Sequence, residues 1–248
     1  MISQNRGETL RPFFSYFGSK YRLTRRLYPA PSCDTIIEPF AGSACYATVH
    51  NPQRVILNDL DPIIFGVWSF LIKSTPECIR ALPLIEPDQK IDDLEICQEA
   101  KWFIGFWLNK AATGPRRQLS SWALKYPSQF WGERKREQIA KQVDKIDHWK
   151  ITNHQYFEIE NQEASWFIDP PYQEAGKVYR RSSSGIDYQN LGDWCVERLG
   201  QIIVCENEGA QWLPFSGPEE MNNVRAKKTS EVSFVCDGSQ ARLFGSKV

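Results

Sequence analysis

Two short apolar runs near the amino terminus, each followed by a helical segment, constrain the fold of this chain most strongly. Residues 35–38 (Thr-Ile-Ile-Glu) and residues 54–59 (Arg-Val-Ile-Leu-Asn-Asp) have the length and the β-branched content of buried strands. A helix is expected after the first run, through Val49, and a second helix over residues 62–73, with a proline in its first turn. This alternation predicts a doubly wound, mostly parallel α/β sheet.

The alternation is interrupted between about residues 75 and 148. This stretch holds several prolines, an acidic loop over residues 86–95 and then a basic, aromatic part with helical character. Strands are predicted again over residues 150–159, 166–169 and 201–205, with a helix over 191–199 and an antiparallel edge hairpin within 224–234. We therefore expect a sheet domain made of residues 1–74 and 149–248, with residues 75–148 inserted as a mainly helical region.

The composition is that of a globular protein without a membrane span or a metal site. Of 248 residues, 42% are hydrophobic and 24% are charged, and the longest apolar stretch, residues 62–72, is too short to cross a bilayer. The seven cysteines include no Cys-x-x-Cys pair, and the three histidines have no metal-ligand spacing. Together with residues 1–6, which lack the apolar core of a signal peptide, these features favour a cytoplasmic protein with reduced thiols.

Three of the predicted strands end in an acid, namely Glu38, Asp59 and Asp169. Ligands of open α/β sheets bind outside the carboxyl ends of the strands, so these three acids are candidate site residues. Gly42 follows Glu38 in a turn of small residues, where the backbone can approach a ligand and the next helix offers its amino end. Asp59, one strand later, is placed as the acid that hydrogen-bonds a ribose in nucleotide-binding sheets.

The tetrapeptide Asp169-Pro170-Pro171-Tyr172 directly follows the apolar run 166–168. Two consecutive prolines fix φ, remove two backbone donors and keep the preceding residue out of the helical conformation. The acid and the proline carbonyls can accept hydrogen bonds from an exocyclic amine, and the aromatic ring can stack on a flat base. The tetrapeptide therefore predicts a site for an amino group on a planar heterocycle, although a strand can also end this way for structural reasons alone.

A further segment, Tyr16-Phe17-Gly18-Ser19-Lys20, precedes the first strand. It supplies an aromatic ring, a flexible Gly-Ser pair and a cation. Lys20 suits the carboxylate of a bound amino-acid moiety, and Tyr16 suits stacking or hydrogen bonding to the same ligand. Taken alone, the segment also fits a loop before an amphipathic helix.

The order of these motifs resembles that of the Dam-type class (alpha group) of adenine-specific DNA methyltransferases, from Tyr16 to about Phe215. The resemblance implies a Rossmann-like methyltransferase domain, S-adenosylmethionine as the cofactor and double-stranded DNA as the substrate. It also implies that residues 75–148 form the target-recognition region. A cytoplasmic enzyme of a bacterial, archaeal or phage-infected cell is expected, and a restriction endonuclease is a conceivable partner.

Individual roles follow from the resemblance. The residues implied to contact S-adenosylmethionine are Tyr16, Lys20, Asp59 and Asp169, and those implied to shape its methionine pocket are Glu38, Phe40 and Gly42. Family members often have a second glycine where this chain has Ala44, so a tighter turn or a displaced cofactor is expected there. The hairpin string typical of GATC-specific members is absent, and the target sequence is therefore not predicted.

The catalytic roles concern the tetrapeptide. Asp169 and the Pro170 carbonyl are expected to hydrogen-bond the 6-amino group of an adenine that has left the duplex, and Tyr172 is expected to stack on that base. Asp169 favours adenine over cytosine, where related enzymes more often carry serine. Methylation of cytosine-N4 or of an RNA base stays an alternative, as does an inactive DNA-binding relative.

DNA contacts are predicted in two places. From Lys110 to Lys150 the chain has ten Lys or Arg residues against four acids, interleaved with aromatic residues, and the motif order makes Arg116 and Arg117 its candidate contacts. Arg180 and Arg181 lie beside a Ser-rich loop that is expected to close over the flipped base. A solvated helical face and a polar loop without function are the respective alternatives.

Three more basic residues, Arg225, Lys227 and Lys228, are weaker candidates for contacts with the DNA backbone. For these, a solvated edge strand is the favoured interpretation.

Overall fold

A seven-stranded sheet forms the centre of the molecule in the computed structural model, which describes residues 9–222 and 228–237. The strand order is β3-β2-β1-β4-β5-β7-β6, and the first five strands are parallel. The strands are β1 (Thr35–Glu38), β2 (Arg54–Asn58), β3 (Lys150–Thr152), β4 (Ala164–Ile168), β5 (Gly200–Asn207), β6 (Ser216–Asn222) and β7 (Lys228–Asp237). The predicted doubly wound, mostly parallel sheet is confirmed.

The winding direction of the sheet reverses between β1 and β4. Ile36 of β1 pairs with Val55 of β2 on one side and with Ser165 of β4 on the other. At such a switch point the loops after the two strands turn to opposite faces and leave a crevice at the carboxyl edge. Glu38 and Asp169 stand at this crevice, on neighbouring strands.

Eight α-helices lie in the described part of the chain. They are α1 (Tyr21–Thr24), α2 (Cys45–His50), α3 (Pro62–Lys73), α4 (Pro76–Arg80), α5 (Gln98–Trp107), α6 (Ser121–Lys125), α7 (Glu133–Ala140) and α8 (Tyr188–Val196). The bounds predicted for β1 and α3 are confirmed. The amino end of α3 is fixed by Asp61, whose carboxylate accepts a hydrogen bond from the amide of Ile63.

The strand predicted over residues 150–159 is wrong after Thr152. The side chain of Asn58 accepts a hydrogen bond from the His154 amide and donates one to the His154 carbonyl. These bonds turn the chain across the end of β2, and a short 3₁₀ helix, Tyr156–Glu158, follows. A side-chain amide has thus taken the place of the ladder bonds that a longer strand would need.

The inserted segment, residues 75–148, is helical and packs against the sheet domain. Phe103 and Ile104 of α5 lie in one hydrophobic cluster with Trp68 of α3 and Phe13 of the amino-terminal segment. The indole of Trp107 also donates a hydrogen bond to the carbonyl of Phe13. The segment therefore shares a core with the sheet, and its division into a separate domain stays a prediction.

The carboxyl-terminal strands β6 and β7 are antiparallel, but β6 lies before residues 224–234, for which the hairpin is predicted. β7 pairs with β5 on one side and with β6 on the other, so β6 is the edge strand. Residues 224–227 of the predicted hairpin, including Arg225 and Lys227, lie outside the described residues, as does the side chain of Lys228.

Within the described ranges, no helix is long and apolar enough to cross a membrane. In the same ranges, no group of three or more His, Cys, Asp or Glu side chains is arranged to hold a metal ion. All seven cysteines are free thiols.

Candidate active site

A cavity of about 540 Å³ opens at the carboxyl edge of the sheet, over the switch point between β1 and β4. Its walls come from the amino-terminal segment, from the loops after β1, β2, β3 and β4, and from residues 179–186. The predicted cofactor-binding and catalytic residues all line it: Tyr16, Lys20, Glu38, Phe40, Gly42, Asp59, Asp169, Pro170 and Tyr172. The fold has brought four motifs from distant parts of the chain to one place.

Glu38 at the end of β1 holds the start of α2. Its carboxylate accepts a hydrogen bond of 2.7 Å from the Ala47 amide, and the side chain is buried. Burial raises the pKa of Glu38 to about 8, with the bond from Ala47 acting in the opposite direction. Glu38 is therefore largely protonated at neutral pH and fixes the turn that carries the next part of the site.

Gly42 lies in this turn, at a position that favours glycine. Its φ is +46°, and a Cβ placed there would lie 3.1 Å from Cε1 of Tyr16. The Tyr16 ring thus packs directly on the Gly42 backbone. Ala44 also has a left-handed conformation, with φ +45°, so an alanine here has kept the backbone region that glycine favours.

Asp59 follows β2 and is oriented by backbone amides. Its two oxygens accept hydrogen bonds of 2.9 Å from Gly42 and from Asp61. Burial raises the pKa of Asp59 to about 6, and these two bonds oppose the rise. The carboxylate is therefore ionised at neutral pH, and a lone pair of each oxygen stays available to a ligand.

Two aromatic rings lie beside Asp59 in the cavity wall. The rings of Phe40 and Tyr156 have centroids 5.6 Å apart and planes inclined by 35°. Tyr156 was not predicted as a site residue, since it falls where the sequence predicts a strand. Its place depends on Asn58, whose buried amide joins the ends of β1 and β3 by bonds to Pro39 and His154.

Asp169 and the two prolines form the opposite wall. The hydroxyl of Tyr188 donates a hydrogen bond to the carbonyl of Pro171. No side chain of the described residues donates to the carbonyl of Pro170. The two carbonyls therefore differ in how many hydrogen bonds they already accept. Burial raises the pKa of Asp169, and the ammonium of Lys20 acts in the opposite direction.

Lys20 lies in the cavity wall and is surrounded by acids. Its Nζ lies 3.6 Å from Oδ1 of Asp169 and 3.5 Å from Oε2 of Glu231, and the residue is 4% exposed. The ammonium also donates to the carbonyl of Gly18 at 3.1 Å. The role expected for Lys20, an ion pair with a cofactor carboxylate, stays a prediction. In this arrangement two protein carboxylates already share its positive charge.

Tyr172 is also more enclosed than its predicted stacking role requires. The residue is 9% exposed, and the Nζ of Lys20 lies 4.5 Å from its ring centroid. One face of the ring is therefore occupied by a cation. Stacking on a base requires the ring to turn toward the cavity, or the base to meet its exposed edge.

Two residues that sequence reasoning missed belong to this site. Tyr179 packs on Gly18: a Cβ on that glycine, whose φ is +76°, would lie within 2.3 Å of the Tyr179 hydroxyl oxygen. The ring of Tyr179 is also 6.0 Å from that of Tyr16. Tyr179 could have been predicted from its position next to Arg180. The second residue, Glu231, is a charged residue in an alternating strand, and no feature of the sequence marks it.

The predicted DNA contacts fall into two groups. Arg180 and Arg181 line the cavity, and Nε of Arg180 lies 3.9 Å from a carboxylate oxygen of Asp61. Arg116 and Arg117 are exposed in the inserted region, away from the residues that line the cavity, and Arg117 forms an ion pair with Asp92.

Residues 16–100 match the family model described as D12 class N6 adenine-specific DNA methyltransferase. Over these residues the chain is similar to DNA adenine-N6 methyltransferases of this class. The match covers the motifs around Tyr16, Glu38 and Asp59 and stops before Asp169. Methyltransferases of this kind generally use S-adenosylmethionine, and DNA is the substrate that the class implies.

One solved structure that the chain matches is the rRNA methyltransferase aviRa from Streptomyces viridochromogenes. It is 13% identical, with a TM-score of 0.41, and the similarity covers 99% of this chain and 96% of the other. No sequence among curated proteins is significantly similar to the chain.

Proposed function

We propose that the cavity over β1 and β4 binds both S-adenosylmethionine and a target adenine, and that Asp169 holds the adenine amine. One observation carries the proposal: the ends of β1, β2 and β4 bring Glu38, Asp59 and Asp169 to a single cavity. A nucleotide-sized cofactor and a flat base fit a cavity of about 540 Å³ in part, and the opening provides the remaining space.

The residues on the β1–β2 side fit the cofactor. The Asp59 carboxylate, oriented by two amides, is an acceptor for ribose hydroxyls. The rings of Phe40 and Tyr156 offer apolar faces to an adenine ring. When bound, the cofactor supplies a methyl group on a sulfonium, which is an electrophile. Gly42 and Tyr16 are the residues we assign to its methionine part.

The residues on the β4 side fit the amine. The 6-amino group of adenine is a weak nucleophile because its lone pair is delocalised into the ring. The Asp169 carboxylate accepts one amino hydrogen and the Pro170 carbonyl accepts the other, which localises the lone pair on the nitrogen. The Pro171 carbonyl already accepts a hydrogen bond from Tyr188, which leaves it one lone pair. Asp169 is also the nearest carboxylate to take up the proton that the nitrogen loses.

Access to the amine requires the base to leave the duplex, at a cost of a few kcal/mol. Stacking on Tyr172 would recover part of that cost. Tyr172→Ala is therefore expected to slow methylation of duplex DNA more than methylation of mismatched or single-stranded sites. Equal losses on both substrates would remove the stacking role.

DNA contacts are proposed for the cavity mouth and for the inserted region. Arg180 and Arg181 line the cavity, and we assign them to a phosphate beside the flipped base. In the inserted region Phe130 and Trp131 are buried, as is Trp149 directly after it, whereas Trp122 is 43% exposed on α6. Residues 75–148 are accordingly proposed as the target-recognition region.

A group of cations in the same part of the molecule supports this proposal. Arg11, Arg134 and Lys135 surround Trp107, with the Nζ of Lys135 4.3 Å from the ring centroid. No carboxylate of the described residues pairs with any of the three. Burial, together with the charges of the neighbouring Arg134 and Arg11, lowers the pKa of Lys135 to about 8. Unpaired cations of this kind favour a phosphate backbone.

The test is methyl transfer from labelled S-adenosylmethionine to separate DNA and RNA pools, with the products resolved as nucleosides. The wild type is expected to yield N6-methyladenine in DNA, and Asp169→Ala to lose transfer while calorimetry still detects cofactor binding. Asp34→Ala, which removes an exposed carboxylate from the loop before β1, is the matched control. Transfer by Asp169→Ala near the wild-type rate would overturn the assignment. A restriction partner and a cytoplasmic location stay predictions.

A further inference from the structure

Glu231 is a buried acid that no motif of the sequence accounts for. It lies in β7 opposite Asn207 of β5 and is 4% exposed. On the same face of β7, Ser233 is half-buried and Val235 is exposed, so the strand passes from the protein interior toward solvent. A charged side chain at the exposed end would be ordinary, whereas one at the buried end is costly unless it is paired.

The Glu231 carboxylate has one partner for each oxygen. The hydroxyl of Tyr28 donates a hydrogen bond to Oε1, and the ammonium of Lys20 lies 3.5 Å from Oε2. Tyr28 is itself held by an edge contact with Phe167 of β4, with ring centroids 5.2 Å apart. The position of Glu231 is therefore fixed from two directions.

Lys20 connects Glu231 to the reacting end of the site. The same ammonium lies 3.6 Å from Oδ1 of Asp169, so one positive charge stands between two carboxylates. The Asp169 side chain is 22% exposed toward the cavity, whereas those of Glu231 and Lys20 are almost fully enclosed. A change in the charge of Glu231 must therefore change the strength of the ion pair between Lys20 and Asp169.

We propose that Glu231 is a positioning residue for methyl transfer, which acts on Asp169 through Lys20. The inference rests on the proposed role of Asp169 and adds a residue to it. With Glu231 present, Lys20 stands beside Asp169 without neutralising it fully, so the Asp169 carboxylate keeps the basicity it needs to accept an amino hydrogen of adenine. Without that competing charge, Lys20 pairs with Asp169 alone and weakens it as an acceptor.

The pKa of Glu231 depends on the charges of Asp169 and Lys20, as the proposal requires. Burial raises the pKa of Glu231, and the charge of Asp169 raises it further, while Lys20 lowers it. The two carboxylates therefore respond to each other's charge. Other groups that face the pair are Tyr28, Tyr172 and the thiol of Cys205, whose own pKa burial raises.

The test is Glu231→Gln, which keeps the shape of the side chain and an oxygen that can accept from Tyr28. The pKa of Asp169 is expected to fall, so the acid limb of the pH profile of kcat should move to lower pH by about one unit, as a single nearby charge gives. On the plateau of the profile, kcat should fall by roughly ten-fold, the equivalent of one pKa unit. KM for DNA and for S-adenosylmethionine should stay unchanged.

Two further variants separate charge from structure. Glu231→Asp keeps the charge and should leave the acid limb where it is in the wild type. Tyr28→Phe removes the hydrogen bond but keeps both carboxylates and Lys20, and it should lower the urea midpoint without moving the limb. If the acid limb of the kcat profile moves as far in Glu231→Asp as in Glu231→Gln, the proposal is overturned.

The Gln variant is expected to fold, because it removes one negative charge from a cluster that has two carboxylates and one ammonium. Loss of its folded structure would make Glu231 a structural residue and would also overturn the proposal, as would an acid limb at the wild-type position. Failure of the proposed function looks different: the wild type itself would then produce no N6-methyladenine in DNA.

Discussion

The two sides of the active-site cavity hold their carboxylates by different means. On the β1–β2 side, Glu38 and Asp59 accept hydrogen bonds from backbone amides of neighbouring turns. On the β4–β7 side, Asp169 and Glu231 share the ammonium of Lys20. The acids on both sides are buried and therefore need partners, but only on the β4–β7 side is the partner a charged side chain.

The difference corresponds to what each side is proposed to do. Backbone amides fix the direction of a carboxylate and cannot move without moving the turn, which suits a site that must recognise a ribose in one orientation. An ion pair can be shared between two acids, which allows the basicity of Asp169 to be set by its neighbours. The first side is accordingly expected to be sensitive to backbone geometry and the second to charge.

Removal of the shared cation should have the largest effect. Lys20→Met leaves Asp169 and Glu231 without a counter-ion, and loss of one member of a buried ion pair costs about 3–5 kcal/mol. Equilibrium unfolding in urea should show a decrease of this order, and methyl transfer should be lost. A decrease of less than about 1 kcal/mol would mean that the charges on this side do not need Lys20.

The acid on the amide-held side should affect cofactor affinity rather than stability. Asp59→Asn replaces a charged acceptor by a neutral one, and hydrogen bonds to charged groups contribute about 1.5–3 kcal/mol, so affinity for S-adenosylmethionine should fall roughly ten- to hundred-fold. Calorimetry at pH 7.5 measures this directly.

The pH dependence of that affinity sharpens the prediction. The pKa of Asp59 is raised to about 6, so the wild-type carboxylate gains a proton as the pH falls through this value and loses acceptor capacity. Wild-type affinity should therefore fall below about pH 6, and the affinity of Asp59→Asn should stay flat over the same range. A wild-type affinity that does not change there would contradict the role of Asp59.

The substitution Gly18→Ala tests the contact between the amino-terminal segment and Tyr179. In Gly18→Ala the new Cβ meets the Tyr179 hydroxyl and φ is +76°, which costs about 1–2 kcal/mol for a residue other than glycine. We expect lower stability and weaker cofactor binding. Adding Tyr179→Phe removes the oxygen that clashes and should restore binding in part. If the double variant is as impaired as the single one, Tyr179 does not determine the position of this segment.

The smallest effects are expected for single cations of the DNA surface. Arg181→Gln should reduce the dependence of log Kd on log salt by about one unit if it removes a phosphate contact. Arg117→Gln is the comparison in the inserted region, where the ion pair with Asp92 competes with DNA, so its change should be smaller. Identical slopes for both variants and the wild type would place the DNA on another face.

The β1–β2 side could be predicted from the sequence, and the β4–β7 side only in part. Asp59 and Gly42 were found because parallel strands put the ends of consecutive elements at one edge, which local sequence order already fixes. Glu231 was missed because it lies on an antiparallel strand near the carboxyl end of the chain. The fold, and not the local sequence, brings it next to Lys20. Tyr156 was missed because the side chain of Asn58 ends β3 early, which strand patterns do not encode.

The surroundings of Lys20 and Tyr172 could not be predicted from their motifs. Both residues are part of the site, as their motifs predict, but the charge balance around Lys20 depends on Glu231. Motifs identified which residues meet in the cavity. They did not determine which of them face the ligand and which face one another.

The central claim is that Asp169 holds the amino group of adenine in DNA for methylation. It is tested most directly by sequencing modified bases in DNA from cells without adenine methylation of their own, which express the wild type or Asp169→Ala at equal levels. N6-methyladenine at a defined sequence is expected with the wild type and none with the variant. Equal methylation in both, or a wild-type mark on cytosine or on RNA instead, would contradict the account.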